Sequence, residues 1–257
     1  MTRQDLRKAP FLLLLLLVTS ELATAADPIV AKAVTRPRIA LIIDDLGYGL
    51  TVGRRTIDLP GPVACAVLPD TPRARVLAEL AAAHGKEVLL HLPLQAQDGA
   101  GHSDPGSLHL DMSRERFAAE LARNLASVPN VSGVNNHRGS LLTRHPGHMR
   151  WLMEELHAHE GLFFVDSYTT HQSVAMQAAV DAGVPAARRD VFLDNDRSAE
   201  GVAAAFEKLK RVARRRGSAI GIGHPYPETL KFLEQVLPQL SAEGIELVSL
   251  SELIYGD

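Results

Sequence analysis

Short apolar runs recur eight times after residue 37, as RIALII, VACAVL, EVLLHL, VSGVN, GLFFV, DVFL, SAIGIG and IELVSL, with helically spaced segments between them. Most of these runs are too short for helices and are apolar throughout rather than alternating. They therefore predict strands buried on both faces. The intervening helices are expected at 72–84, 113–127, 146–160, 171–182, 198–216 and 226–243. Pro72 and Pro146 suit first helical positions, Ser113 and Ser198 suit caps, and Gly85, Gly161, Gly183, Gly217 and Gly244 suit terminations. The link from Asp44 to VACAVL also accommodates a helix. Strand and helix in alternation require a parallel sheet covered on both sides. A (β/α) barrel, irregular or short of a strand, fits a domain of about 230 residues. An open doubly wound sheet is the alternative.

The domain is expected over 38–257 because the start of the chain has a different character. Arg3, Arg7 and Lys8 precede an apolar stretch from Phe11 to Val18, and Ala23-Thr24-Ala25 forms an A-x-A site. These are the parts of a cleavable secretory leader over 1–25, cut after Ala25, which implies an exported, periplasmic or secreted, chain. The apolar stretch is far shorter than the roughly 20 residues that span a bilayer, so no stable membrane span is expected after cleavage. Residues 26–37, with two prolines and no periodicity, read as a short tether. Without the leader the formal charge moves from −3 to −4, which gives no electrostatic footprint for nucleic acid. The basic run Arg214-Arg215-Arg216 precedes Gly217 and reads as a helix C-terminus. Cys65 is the single cysteine; it sits inside an apolar run and reads as core. The fold must therefore hold together without an internal disulfide.

In either parallel architecture the functional groups gather where strands end. Read in order, those positions supply Asp44 and Asp45, Asp70, His91, Asn135-Asn136-His137, Asp166-Ser167, Asp194-Asn195 and His224; only the last strand, before Ser249 and Ser251, lacks an ionisable residue close to its end. Imidazoles and carboxylates converging in this way can complete a three-ligand metal site with one open position. His91 and His137 are the histidines best placed for it. His157 and His159 fall on an expected helix, His102 and His109 on a loop, and His145 and His148 follow a loop rather than a strand. Adjacent residues leaving a strand point in different directions, so one aspartate can ligate while the other serves as base. Capping of the next helix by one of them is the bland alternative. His224 suits a general acid, and Tyr168 and Tyr226 offer apolar faces to a sugar ring. The glycines 47, 49 and 53 depart from G-x-G-x-x-G by one residue, and no G-x-S-x-G occurs. Neither a dinucleotide site nor a serine-hydrolase elbow is therefore indicated.

The segments IALIIDDLGYG, EVLLHLPLQ, GVNNHRGS, FFVDSYT, RDVFLDN and AIGIGHPYP, in this order, resemble the divergent polysaccharide deacetylase family, distant relatives of NodB-type carbohydrate esterases. The resemblance implies a distorted (β/α) barrel of seven or eight parallel strands, a divalent metal, usually zinc, and removal of acetyl groups from N-acetylated glycans. It maps Asp44 to the base, Asp45 to a ligand and His224 to the acid. The sequence departs from the NodB pattern in having no H-x-x-x-H pair, so the remaining ligands are expected from separate strands as His91 and His137. Asn136, Arg138, Asp166, Ser167, Tyr168, Asp194 and Tyr226 are expected to support the site or the substrate, with Arg138 or Arg189 orienting the base and Asp166 orienting His224. The same departure keeps open a protein that binds a glycan or a cell-envelope partner on this barrel without turnover. Oligomeric state is not encoded in any of these features.

Overall fold

The structure is a computed structural model that describes residues 36–98 and 104–256. The expected leader, most of the expected tether, and His102 lie outside the described residues. Nine strands appear in chain order: β1 (Arg38–Leu46), β2 (Val63–Val67), β3 (Val88–Leu94), β4 (Val131–Arg138), β5 (Phe163–Asp166), β6 (Ala186–Arg188), β7 (Val191–Phe192), β8 (Ser218–Gly223) and β9 (Glu246–Leu247). Eight helices connect or follow them: α1 (Leu50–Ile57), α2 (Ala74–Ala83), α3 (Arg114–Ser127), α4 (Pro146–Ala158), α5 (Ala175–Ala182), α6 (Ala199–Arg216), α7 (Pro227–Val236) and α8 (Leu250–Tyr255).

The strands run parallel in the order β6-β5-β4-β3-β2-β1-β8-β7. Among the described residues no ladder joins β6 to β7, so the sheet is a curled, incomplete barrel. The edge of β1 facing β8 is occupied from Arg38 to Ile43, while β2 pairs with the other edge only from Leu41 onward. That leaves Arg38 and Ile39 open, and β9 takes them up.

The expected helices form, with shifted ends. Ser113 and Ser198 cap α3 and α6 by accepting from Arg116 N–H and Gly201 N–H. Pro146 opens α4, and the left-handed Gly183 and Gly217 close α5 and α6. The segment expected at 171–182 is helical only from Ala175. That expected at 226–243 leaves α geometry after Val236 for a 3₁₀ turn, Leu237–Gln239, because Pro238 has no N–H to continue the ladder. Strand β6 has three residues and no apolar run, so pattern alone does not signal it.

Strand alternation sorts the core into two layers. Ile39, Leu41 and Ile43 belong to the large cluster under the helices. Ala40 and Ile42 belong to a second cluster on the concave face with Ala64, Ala66, Leu89, Phe163, Val165, Ile220 and Ile222. Leu250, with Leu253 and Ile254 of α8, packs on this concave cluster. The start of α8 is anchored by Glu87, whose carboxylate accepts from Leu250 N–H and Ser251 N–H at 2.7 and 2.9 Å. Continued by two residues beyond this apolar floor, the concave positions become Asp44, His91, Asn135, Ser167 and His224. The fold thus places a polar set directly above an apolar plug. Among the described residues no helix is long and apolar enough to cross a membrane.

Candidate metal centre and active site

Asp45, His91 and His137 converge. Asp45 Oδ1 lies 3.2 Å from His91 Nε2 and 3.0 Å from His137 Nδ1, and the two nitrogens are 3.1 Å apart. Simple alternation would send Asp44 and Asp45 to opposite faces of the sheet. Instead the register of β1 against β2 shifts between Ile43 and Leu46. Asp45 takes a left-handed backbone, φ 59°, and both carboxylates reach His91, Asp44 Oδ2 at 3.6 Å. Neither caps α1, whose N-cap is Gly49.

Asn135, a strand-end residue to which the sequence assigns no role, organises the centre. Its Nδ2 donates to Asp44 Oδ1 at 2.8 Å, which fixes the amide orientation because a carboxylate can only accept. Its Oδ1 then accepts from His91 Nδ1–H at 2.9 Å. The proton of neutral His91 is thereby placed on Nδ1, and Nε2 presents a lone pair to the cluster. At His137, Nε2 has Arg138 Nε at 3.2 Å and Asp104 Oδ2 at 3.4 Å, and these neighbours ask for opposite tautomers. Arg138 Nε is already 3.0 Å from Asp104 Oδ2. We therefore assign Nε2–H toward Asp104, which leaves the Nδ1 lone pair facing Asp45.

Three lone-pair atoms at this spacing repel unless a cation sits among them. Asp45 Oδ1 is buried without a hydrogen-bond partner. Ligand atoms around a tetrahedral ion with bonds of about 2.0–2.1 Å are roughly 3.3 Å apart, close to the edges of this triangle. The donor set therefore fits a small divalent metal. A proton is the minimal alternative: burial opposes charging of His91, but the Asp44 and Asp45 charges outweigh it and lift its pKa to about 9. Burial likewise works to raise Asp45, yet the His137 and His91 imidazoles, which donate to it when protonated, prevail and hold it well below the usual carboxylate range. Asp44, 2% exposed, is instead pushed upward, chiefly by burial.

His224 stands across the centre, its Nε2 3.8 Å from Asp45 Oδ2. Its Nδ1–H donates to Asp194 Oδ1 at 2.8 Å, its backbone N–H to Asp194 Oδ2 at 2.6 Å, and Thr229 Oγ1 adds a bond to Oδ2 at 2.9 Å. Burial lowers the His224 pKa, but Asp194 outweighs it and the net shift is upward. Asp194, not Asp166, is the residue that orients His224. Asp166 continues the Phe164 face of β5, away from the concave side, and accepts from Tyr168 N–H and Ser173 Oγ–H in its own loop. Neither Arg138 nor Arg189 hydrogen-bonds Asp44. Arg138 pairs with Asp104, and Arg189 donates to the carbonyls of Ser167 and Tyr168.

The remaining expected residues serve the frame. Asn136 points to the other face from Asn135, accepting from Ser167 N–H and donating to Arg138 O. Ser167 Oγ is 3.4 Å from Asn135 Nδ2. Tyr168, at φ 50°, lies under Arg188, and Tyr226 lies beside the His224 ring. Asp70 turns away to pair with Arg123 on α3. On β8 the missing Cβ of Gly221 faces Leu209 and Leu41, whereas that of Gly223 faces Thr229 and Asp194 at 3.2 and 3.4 Å. Asp45 and His137 border a cleft of about 220 Å³, walled on its apolar side by Tyr48, Leu68, Pro69, Pro93 and Pro105. A larger groove of about 490 Å³ between α4 and α5 holds none of the converging groups; the chemistry places the site at the strand ends.

The profile of the divergent polysaccharide deacetylase family matches residues 41–254. The uncharacterized protein YibQ of Escherichia coli K12 is 35% identical over 233 residues, covering 91% of this chain and 72% of its own. The crystal structure of the uncharacterized protein ATU2773 of Agrobacterium tumefaciens C58 superposes with a TM-score of 0.82 at 25% identity, over 86% of this chain and 91% of that one. A family 4 carbohydrate esterase of Streptomyces lividans, solved with acetate, shares the fold at a TM-score of 0.52 and 12% identity, over 84% and 94% of the two chains. With most of its length matched by one family profile, the chain belongs to the divergent polysaccharide deacetylases.

Proposed function

We propose that this protein is a metal-dependent hydrolase that removes acetyl groups from N-acetylated sugars of a cell-envelope polysaccharide or its fragments. The observation that carries the reading is the convergence of Asp45, His91 and His137 between a buried carboxylate, Asp44, and an oriented imidazole, His224. A divalent ion held by the three, zinc by preference for a nitrogen-rich set, supplies a Lewis acid for the amide carbonyl and for water. Asp44 takes the proton of the attacking water, and Asn135 holds its other oxygen so that the accepting one stays aimed at the centre. His224 delivers a proton from Nε2 to the departing sugar amine while Asp194 retains Nδ1–H and stabilises the charged ring. Acetate and a free amine leave. We assign the activity to the cell envelope because residues 1–25 read as a leader. The test is acetate release from N-acetylated glycans by the zinc-loaded protein. Full activity in metal-bound Asp44→Asn overturns the base assignment, and lack of stoichiometric metal binding overturns the metal reading.

A further inference from the structure

On one flank of His224 the rim of the site is built from arginines lying on aromatic rings. The Arg189 guanidinium carbon is 3.7 Å from the Phe192 ring centre, and that ring stacks on His224 at 6.1 Å. His224 in turn lies 5.4 Å from the Tyr226 ring, over which Arg197 sits at 4.0 Å. Arg188 lies 4.3 Å over Tyr168, a bulky residue held in a left-handed backbone. All of these residues follow or end strands, so they share the mouth with the metal-ligand cluster.

The three arginines are not equivalent. Arg189 is spent on structure, tying two carbonyls after β5 to the Phe192 ring of β7. Arg188 and Arg197 are exposed, and no carboxylate among the described residues lies within ion-pair distance of either. Stacking fixes a guanidinium's plane at little further entropic cost and leaves its edge donors available for a forked contact with a carboxylate or phosphate. Asp44 and Asp45 would repel an acidic ligand at the centre, so a ligand with its charge set off from the N-acyl group, toward this flank, satisfies both regions.

We propose that the glycan recognised here is acidic, with a carboxylate or phosphate group on or beside the N-acetylated sugar that Arg188 and Arg197 engage. This rests on the hydrolase reading above but is tested by binding. Calorimetric titration at low salt compares a neutral N-acetylglucosamine tetramer with a tetramer alternating N-acetylglucosamine and glucuronic acid, and N-acetylglucosamine with its 6-phosphate. The acidic member of at least one pair should bind about tenfold tighter, and which pair responds identifies the acid. Arg188→Gln with Arg197→Gln should cut that preference to about twofold or less, leaving neutral-ligand affinity and the unfolding midpoint in place. Equal affinities within both pairs, or an undiminished preference in the double variant, overturn the proposal. Acetate release is scored separately: an acidic preference without acetate from any probe defeats the hydrolase reading alone, and acetate release without preference defeats this one alone.

Discussion

Replacing Asn135 with leucine removes the amide that hydrogen-bonds both the candidate base, Asp44, and a candidate ligand, His91. Leucine fills nearly the same volume, so the change deletes two hydrogen bonds, at 2.9 and 2.8 Å, without opening a large cavity. The orphaned partners, His91 Nδ1–H and Asp44 Oδ1, belong to residues only 2% exposed, so water cannot replace the amide. At about 1–3 kcal/mol for each buried group left unsatisfied, the variant should lose roughly 2–6 kcal/mol in urea unfolding. His91 also loses the acceptor that holds its lone pair on Nε2, which should weaken zinc binding about 10–100-fold. Asn135→Asp separates the two functions. It keeps an acceptor for His91 but sets a carboxylate against Asp44, so zinc affinity should be retained while hydrolysis collapses. If Asn135→Leu changed stability by less than about 0.5 kcal/mol, within the usual scatter of surface substitutions, and bound zinc like the wild type, the role given to Asn135 would be wrong.

Other expectations follow from single contacts. In Asp194→Asn the acceptor oxygen must stay with the His224 backbone N–H, so the amide NH₂ faces Nδ1 and reverses the ring's tautomer. Acetate release should fall by about 10²–10⁴ with zinc affinity within a few-fold, and a rate near wild type would refute the assignment. The Cβ of Gly133→Ala would fall 2.4 Å from the Phe163 ring, costing about 1–3 kcal/mol; Phe163→Leu should recover part of this in a double-mutant cycle, and simple additivity would refute it. Burial pushes the Cys65 thiol up to about 12 from its unfolded value of 9.0. The folded state then holds the proton that the unfolded chain releases, so this thiol's contribution is complete below pH 9 and declines toward pH 12 by up to about 1.4 kcal/mol per unit. Cys65→Ala should flatten the alkaline stability curve, and thiol reagents should label the native wild type only on unfolding.

Most of the frame was legible in the sequence because strands buried on both faces read as unbroken apolar runs and glycines or prolines mark the helix ends. The candidate set at the strand ends was legible for the same reason, since topology dictates where strand ends gather. What escaped required parity or backbone conformation. Counting by twos through Ala40-Ile42-Asp44, Leu89-His91 and Ile220-Ile222-His224 leads to Asn135 rather than Asn136, and it sets Asp166 on the wrong face to reach His224. Asp45 defeats the same count, because a left-handed residue inside a strand reverses its direction and no local composition announces it. The link between Asp194 and His224 joins residues 30 positions apart in sequence, a distance that no spacing rule covers.

The pairing of β1 has a consequence in time. This central strand takes β2 on one edge, but its first two residues wait for Glu246 and Leu247 and its other edge for Ser218–Gly223, so its pairing is complete only when nearly the whole chain is available. Contacts this distant in sequence make closure slow. An apolar strand near the beginning of the polypeptide must remain soluble meanwhile. The strands that carry the metal-ligand cluster precede β8, which brings His224 and covers the open edge of β1, so a truncation before β8 should yield an aggregation-prone fragment rather than a smaller domain.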